Sequence, residues 1–314
     1  MNSLNGSASW RALYPFESQY LDRDGLRYHY LDEYTGPGDR AEAPVALMVH
    51  GNPTWSFYYR ELVKALRPTH RCIVPDHIGC GLSDKPPVSR YDYRLKSRIE
   101  DLSALLEHLG VERDVTLIVH DWGGMIGMGA ALRRPERISR LVITNTAAFL
   151  PRGEFKLPWM LKVLHGDNAV SRTLVQGLNG FALGAAWTAS AKGLPRAVRR
   201  GLVAPYNSYS NRIATRLFVH DIPMSPDHPS YETARWVDEN LHLLADRPAM
   251  LIWGKQDYVF DPRFLEEWRL RLPSAAVHAW ADAGHYVLED YPERVTRLVC
   301  EFVDARDRLA ARSS

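Results

Sequence analysis

Three things are scarce in this 314-residue chain: cysteine, an excess of charge of one sign, and long apolar runs. Cys72, Cys80 and Cys300 are too few for a disulfide framework, and their spacing fits no metal site. A reducing cytosol is the simplest compartment for such a chain. The formal net charge of +2 gives no reason to invoke nucleic acid, and Arg196, Arg199 and Arg200 read as a solvated helix face. No uncharged apolar stretch approaches membrane-spanning length. The first ten residues, Met1 to Trp10, lack the basic start and apolar core of a signal peptide, so none is expected.

What is present is the composition of a folded globular protein, 46% hydrophobic and 24% charged. The length suits one large α/β domain carrying an insertion. Two alternating runs flank Asp24-Gly25 within Ser18–Tyr34 and predict a β-hairpin. A strand–helix alternation follows. Buried-strand patterns occur at Val45–His50, Arg71–Asp76, Val115–Val119 and Leu141–Thr146. Between them, Trp55–Leu66 and Leu95–Leu109 read as helices, the second closed by Gly110. The rhythm breaks near Phe149 and resumes at Ala249–Gly254, with a last strand at Ala275–Trp280 and a last helix at Pro292–Leu309. This pattern predicts a mostly parallel, eight-stranded sheet with helices on both faces. The expected division is a core of residues 1–148 and 240–314, with a helical cap of residues 149–239 over the C-terminal edge of the strands. An apolar cap surface would be compatible with peripheral membrane association.

The segment Val115-Thr-Leu-Ile-Val-His-Asp-Trp-Gly-Gly124 carries the chemistry. A β-branched run enters a tight turn at Asp121, and a small-residue helix follows. In isolation Asp121 would be a helix N-cap. With the other motifs it reads as a nucleophile at a strand-to-helix elbow, aspartate where most α/β-hydrolases keep serine. A carboxylate can attack an alkyl carbon and leave an alkyl ester on the enzyme. His285, in Asp-Ala-Gly-His-Tyr just past the last strand, is placed to act as base. Asp257, after the preceding strand, is the acid that would orient it. Its competitor Asp261 precedes Pro262 and reads as an N-cap with proline at the first helical position. The end of the Leu141–Thr146 strand, another acid position in such folds, offers only Asn145. His50 and His120 flank the key loops and read as supports. His29, His108 and His165 read as surface or packing residues. Backbone N–H groups in His50-Gly-Asn-Pro-Thr-Trp55 and at Trp122 would form an oxyanion hole, and the side chains of Asn52 and Trp122 are neutral donors for one anion over the nucleophile.

Taken together, His50-Gly-Asn-Pro, His120-Asp-Trp-Gly-Gly124, Trp253-Gly-Lys-Gln-Asp257 and Ala283-Gly-His285 resemble the haloalkane dehalogenase branch of the α/β-hydrolase superfamily over nearly the whole chain. His50-Gly-Asn-Pro-Thr-Trp-Ser-Phe57 and His120-Asp-Trp-Gly-Gly-Met-Ile-Gly127 look especially like the β-lactone decarboxylases of bacterial long-chain olefin biosynthesis. The resemblance implies Asp121, His285 and Asp257 as the catalytic set, Asn52 and Trp122 as anion holders, and no cofactor or metal. It implies a cis-3,4-dialkyl-oxetan-2-one losing CO₂ to give a cis alkene, and assembly with other enzymes of that pathway. The alternative is hydrolysis of alkyl halides through an aspartyl ester.

The apolar cap residues Phe155, Leu157, Trp159, Met160, Leu161, Val163, Leu164, Leu174, Val175, Leu178, Phe181 and Trp187 would serve either as glue to the core or as the lining of an alkyl channel. Two further readings carry distinct signatures. An epoxide hydrolase would need cap tyrosines, for which Tyr206, Tyr209 and Tyr231 are candidates. A silent binding protein would have no need of the triad.

Overall fold

The structure is a computed structural model that describes residues 8–150, 158–166 and 168–310. Its centre is an eight-stranded sheet in the order β1-β2-β4-β3-β5-β6-β7-β8. The hairpin β1 (Gln19–Arg23) and β2 (Leu26–Glu33) is antiparallel, and β2 joins β4 (Arg71–Pro75) antiparallel. From β4 through β3 (Val45–Val49), β5 (Val115–Asp121), β6 (Ile138–Thr146), β7 (Ala249–Gly254) and β8 (Ala276–Trp280) the pairing is parallel. Asp24 and Gly25 both take positive φ, as the hairpin turn requires.

The central strands read as unbroken apolar runs because both faces of the sheet are covered. Leu47, Val49, Leu117, Val119, Ile143 and Leu251 pack into one core. Their strand neighbours Ala46, Met48, Ile118, Val142, Met250 and Ile252 pack into the other.

Two expected elements differ in detail. The Trp55–Leu66 segment begins as a 3₁₀ turn, Ser56–Tyr59, before the α-helix Arg60–Leu66. The Ser56 N–H is drawn off to Asp76 Oδ1 at 2.7 Å, and Tyr58 N–H closes an i→i−3 bond on Trp55 O, so the tighter turn forms first. The fourth parallel strand starts at Ile138, three residues earlier than its apolar pattern, because Arg140 pairs in register with Thr116.

Among the described residues, the chain between β6 and β7 is helical. It includes Trp159–Leu164, a π-helical turn Arg172–Gly177, Gly180–Thr188, Arg196–Val203, Ile213–His220 and Tyr231–Asn240. Ala234 and Val237 of the last of these join the core cluster beside the helices Leu95–His108 and Trp122–Ala131. No helix among the described residues is long and apolar enough to cross a membrane.

Candidate active site

β5 ends at Asp121, whose backbone sits at φ 52°, ψ −130°. That is a strained conformation for a non-glycine residue, and it lifts the side chain clear of the sheet edge. Three glycines make room for it. A Cβ on Gly51 would fall 2.0 Å from Asp121 Oδ1, and one on Gly123 would fall 1.9 Å from the Val49 carbonyl. A Cβ on Gly124 would meet Thr146 Oγ1 at 2.0 Å. Thr146 Oγ1 in turn donates to the Asp121 carbonyl, tying β6 to the turn.

The two carboxylate oxygens of Asp121 have different surroundings. Oδ1 accepts the Asn52 backbone N–H at 2.6 Å, and the Trp122 backbone N–H also bonds the carboxylate. Oδ2 lies 3.7 Å from His285 Nε2. His285 Nδ1 donates to Asp257 Oδ2 at 2.7 Å. All three side chains are buried. Burial pushes the Asp121 carboxyl above its ordinary value, against the pull of His285 and of the two backbone N–H groups. For His285, burial pushes down, but the charge and hydrogen bond of Asp257 and the charge of Asp121 outweigh it, and the imidazole titrates above its ordinary value.

Asp257 is held from two further directions. Val259 N–H donates to its Oδ1 at 2.7 Å. Asn145 Nδ2 donates to its Oδ2 at 2.9 Å, while Asn145 Oδ1 accepts the Gly254 N–H at 2.8 Å. Asn145, which the sequence marks only as a vacant acid position, is therefore a neutral clamp between the ends of β6 and β7. Asp261 accepts the Arg263 N–H at 2.9 Å and caps the helix Pro262–Arg271.

The other sequence-selected residues divide as follows. The Asn52 side chain directs one N–H to the Thr215 carbonyl at 3.0 Å, so one donor expected over the nucleophile is tied to the helix Ile213–His220. The Trp122 ring packs against Phe218 at 5.5 Å between centroids. His120 Nε2 donates to the His285 carbonyl at 2.9 Å, and His50 Nε2 accepts the His77 N–H at 3.1 Å. His29 is fully buried and paired with Asp76 at 2.8 Å, a partnership that no local pattern signals. His108 is exposed, and His165 donates to the Ile222 carbonyl at 2.8 Å.

Asn52, Asp121, Trp122 and His285 line one cavity of about 650 Å³. Its walls are apolar and include Phe149, Leu161, Leu164, Val175, Phe181, Val219 and Phe260. Phe260 also stacks on His285, with centroids 5.8 Å apart. Of the apolar cap residues named from sequence, Leu178 and Trp187 point outward, and Phe155 and Leu157 lie outside the described residues. The remaining eight line the cavity. Of the three cap tyrosines only Tyr231 does so. Tyr206 is buried with its hydroxyl directed at Thr54 O, and Tyr209 is exposed. No two of the three tyrosines named from the sequence therefore face the cavity together; the other tyrosine in its described lining is Tyr258, which follows β7.

The α/β hydrolase fold family model matches residues 44–292. The chain is 48% identical, over 95% of its length and 92% of the relative's, to a cis-3-alkyl-4-alkyloxetan-2-one decarboxylase of Shewanella oneidensis. It belongs to the haloalkane dehalogenase-like branch of the α/β-hydrolase family. A decarboxylase of the same description from Xanthomonas campestris is 45% identical over 93% of this chain and 97% of its own. Haloalkane dehalogenase 2 of Mycobacterium bovis is more distant, 31% identical over 92% and 96%. A haloalkane dehalogenase structure from Bradyrhizobium elkani superposes with a TM-score of 0.81 at 24% identity, covering 94% of this chain and 99% of that one, a likeness of fold. The aspartate elbow of this α/β-hydrolase thus sits in a branch whose members are described as acting on lactone or alkyl halide.

Proposed function

We propose that this chain is a β-lactone decarboxylase, converting cis-3-alkyl-4-alkyl-oxetan-2-ones to cis alkenes and CO₂. The observation that carries the reading is the asymmetry of Asp121. One oxygen is gripped by a backbone N–H, the other is turned toward His285, and both stand at the floor of an apolar cavity. The two decarboxylases at 48% and 45% identity support the lactone over the halide. Residues 149–239 act in this reading as a cap that closes the alkyl-binding space.

In the proposed reaction Asp121 Oδ2 attacks ring carbon C4 from the face opposite the ring oxygen. The C4–O1 bond breaks, its electron pair goes to O1, and a carboxylate is left on C3. The new Asp–O–C4 bond is then anti to the C3–carboxylate bond. Loss of CO₂ sends the C3–C2 pair into the C3–C4 double bond and returns the C4–O pair to Asp121. No rotation about C3–C4 intervenes, so alkyl groups cis on the ring emerge cis on the alkene. Atoms balance without water. His285, charged through Asp257, stabilises the carboxylate of Asp121 as it attacks and as it is released.

We also propose that the protein works in the cytoplasm, alongside other enzymes of the same pathway. The three free thiols, two of them buried, support a reducing compartment.

The test gives purified protein a cis-dialkyl β-lactone and, separately, a panel of haloalkanes. Alkene and CO₂ from the lactone are expected. Rapid halide release with no alkene would overturn the reading. A lactone labelled with ¹⁸O in both oxygens separates the route: attack at C4 delivers both labels to CO₂, whereas carbonyl attack would leave label in Asp121.

A further inference from the structure

The cap presents an apolar surface that is continuous with the cavity. Trp159, 78% exposed, lines the cavity and the outer surface at once. Met160, Val163, Leu174 and Met224 do the same. Leu178, at 64%, and Trp187, at 65%, extend the surface beyond the mouth along the segments that supply Leu174 and Thr188 to the lining. Scattered exposed apolar residues are ordinary, but a contiguous group around a cavity mouth is not.

The stretch that supplies most of this surface, though not Met224, is basic. Residues 158–220 contain eight Lys or Arg and one Asp, a net +7, whereas the whole chain is +2; the remainder therefore carries −5. Lys162, Arg172 and Arg196 are exposed, and Arg199 and Arg200 half-buried. Arg199 lies 3.7 Å above the Trp187 ring, joining the two characters at one place. Lys192 is paired with Asp282 of the core.

We infer that this face docks on an anionic lipid bilayer, with the exposed indoles and aliphatic side chains in the interfacial layer and the arginines at the headgroups. A helical surface that sets exposed aromatic and aliphatic side chains beside basic ones has the chemistry of an interfacial helix. Anionic leaflets attract such clusters at short range. The arrangement gives a water-insoluble substrate a route from the bilayer into the cavity without crossing water. The inference rests on the decarboxylase reading only for the identity of that cargo. A protein partner would match the apolar rim equally well, but the charge asymmetry favours the lipid surface.

The experiment is cosedimentation of the full chain with phosphatidylglycerol/phosphatidylethanolamine vesicles and with phosphatidylcholine vesicles, without substrate. Binding to the anionic vesicles at least about tenfold tighter is expected, and roughly 0.5 M salt should weaken it several-fold. The double variant Leu178→Glu/Trp187→Glu, outside the cavity lining, should lose about tenfold or more of that affinity. Its thermal midpoint and its turnover of a short-chain, water-soluble lactone should match the parent. Arg196→Glu/Arg200→Glu should abolish the preference for anionic lipid. Parent protein left in the supernatant with anionic vesicles would overturn the inference, as would a Leu178/Trp187 variant that pellets like the parent. Self-association, or co-elution with a pathway enzyme, that the variant abolishes while no vesicle binds would assign the face to protein instead. Vesicle binding is read without turnover, so its outcome is independent of whether the lactone is the substrate.

Discussion

A carboxylate nucleophile must be ionised, yet burial opposes its charge. Asp121, the proposed nucleophile, meets that conflict with the Asn52 and Trp122 backbone N–H groups and with His285, and burial still holds its carboxyl above the ordinary carboxylate value. The acid limb of kcat/KM should accordingly lie above about pH 4, the unperturbed carboxylate value. A limb at or below that value in a pH–rate profile would remove Asp121 from the rate-determining chemistry. Asp121→Ala should lower turnover by about 10⁴-fold or more, since nothing replaces a covalent nucleophile; full activity would refute the assignment. Asn145→Ala deletes a hydrogen bond to the charged Asp257, worth about 1.5–3 kcal/mol, or roughly 10–100-fold in rate. Asn145 acts through Asp257 and is a positioning residue, so kcat should fall while KM holds. A spectroscopic titration of His285 should shift upward in the variant, because Asp257 Oδ2, relieved of the competing Asn145 donor, accepts the imidazolium proton more strongly.

At the scale of elements, the elbow is a packing problem as much as a catalytic one. The helix Trp122–Ala131 approaches β3 so closely that the Gly123 position has no room for a methyl group, and the obstacle is the rigid Val49 carbonyl rather than a movable side chain. Gly123→Ala should therefore cost about 3 kcal/mol or more, read as a shift of the urea midpoint with the slope unchanged. Element types were legible in the sequence wherever the period was strong. Buried parallel strands read as apolar runs, and the amphipathic Leu95–His108 helix read as itself. The 3₁₀ start at Ser56 was not legible, because it depends on Asp76, a residue in another strand's exit loop.

Across the whole molecule, two features set behaviour that no single element controls. The cavity of about 650 Å³ is walled from both core and cap and offers few polar contacts. Each added substrate methylene should contribute about 0.8 kcal/mol, so kcat/KM should rise roughly fourfold per carbon until the cavity is filled. A flat series across chain lengths would mean that the alkyl groups lie outside it. The second feature is the buried His29–Asp76 pair, which joins β2 to the loop after β4. Burial alone would raise the Asp76 carboxyl, but His29, His50 and the Leu82 N–H outweigh it and hold it far below the ordinary range. A depressed carboxylate contributes stability that is full above its unfolded value, about 3.9, and is lost as pH falls toward the folded one. The melting midpoint should thus fall more steeply below pH 4 for the parent than for Asp76→Asn, which starts lower. The sequence by itself marked Asp121, His285 and Asp257, the proposed nucleophile, base and acid, because each lies in a short motif at a strand end, where local turn chemistry leaves its mark. Only the tertiary structure decided the Asn145 clamp, the tether from Asn52 to Thr215 and the His29–Asp76 pair. Those contacts join residues 47 to 163 positions apart, or the β2 strand to the β4 exit, and chain folding rather than local pattern brings them within hydrogen-bond reach.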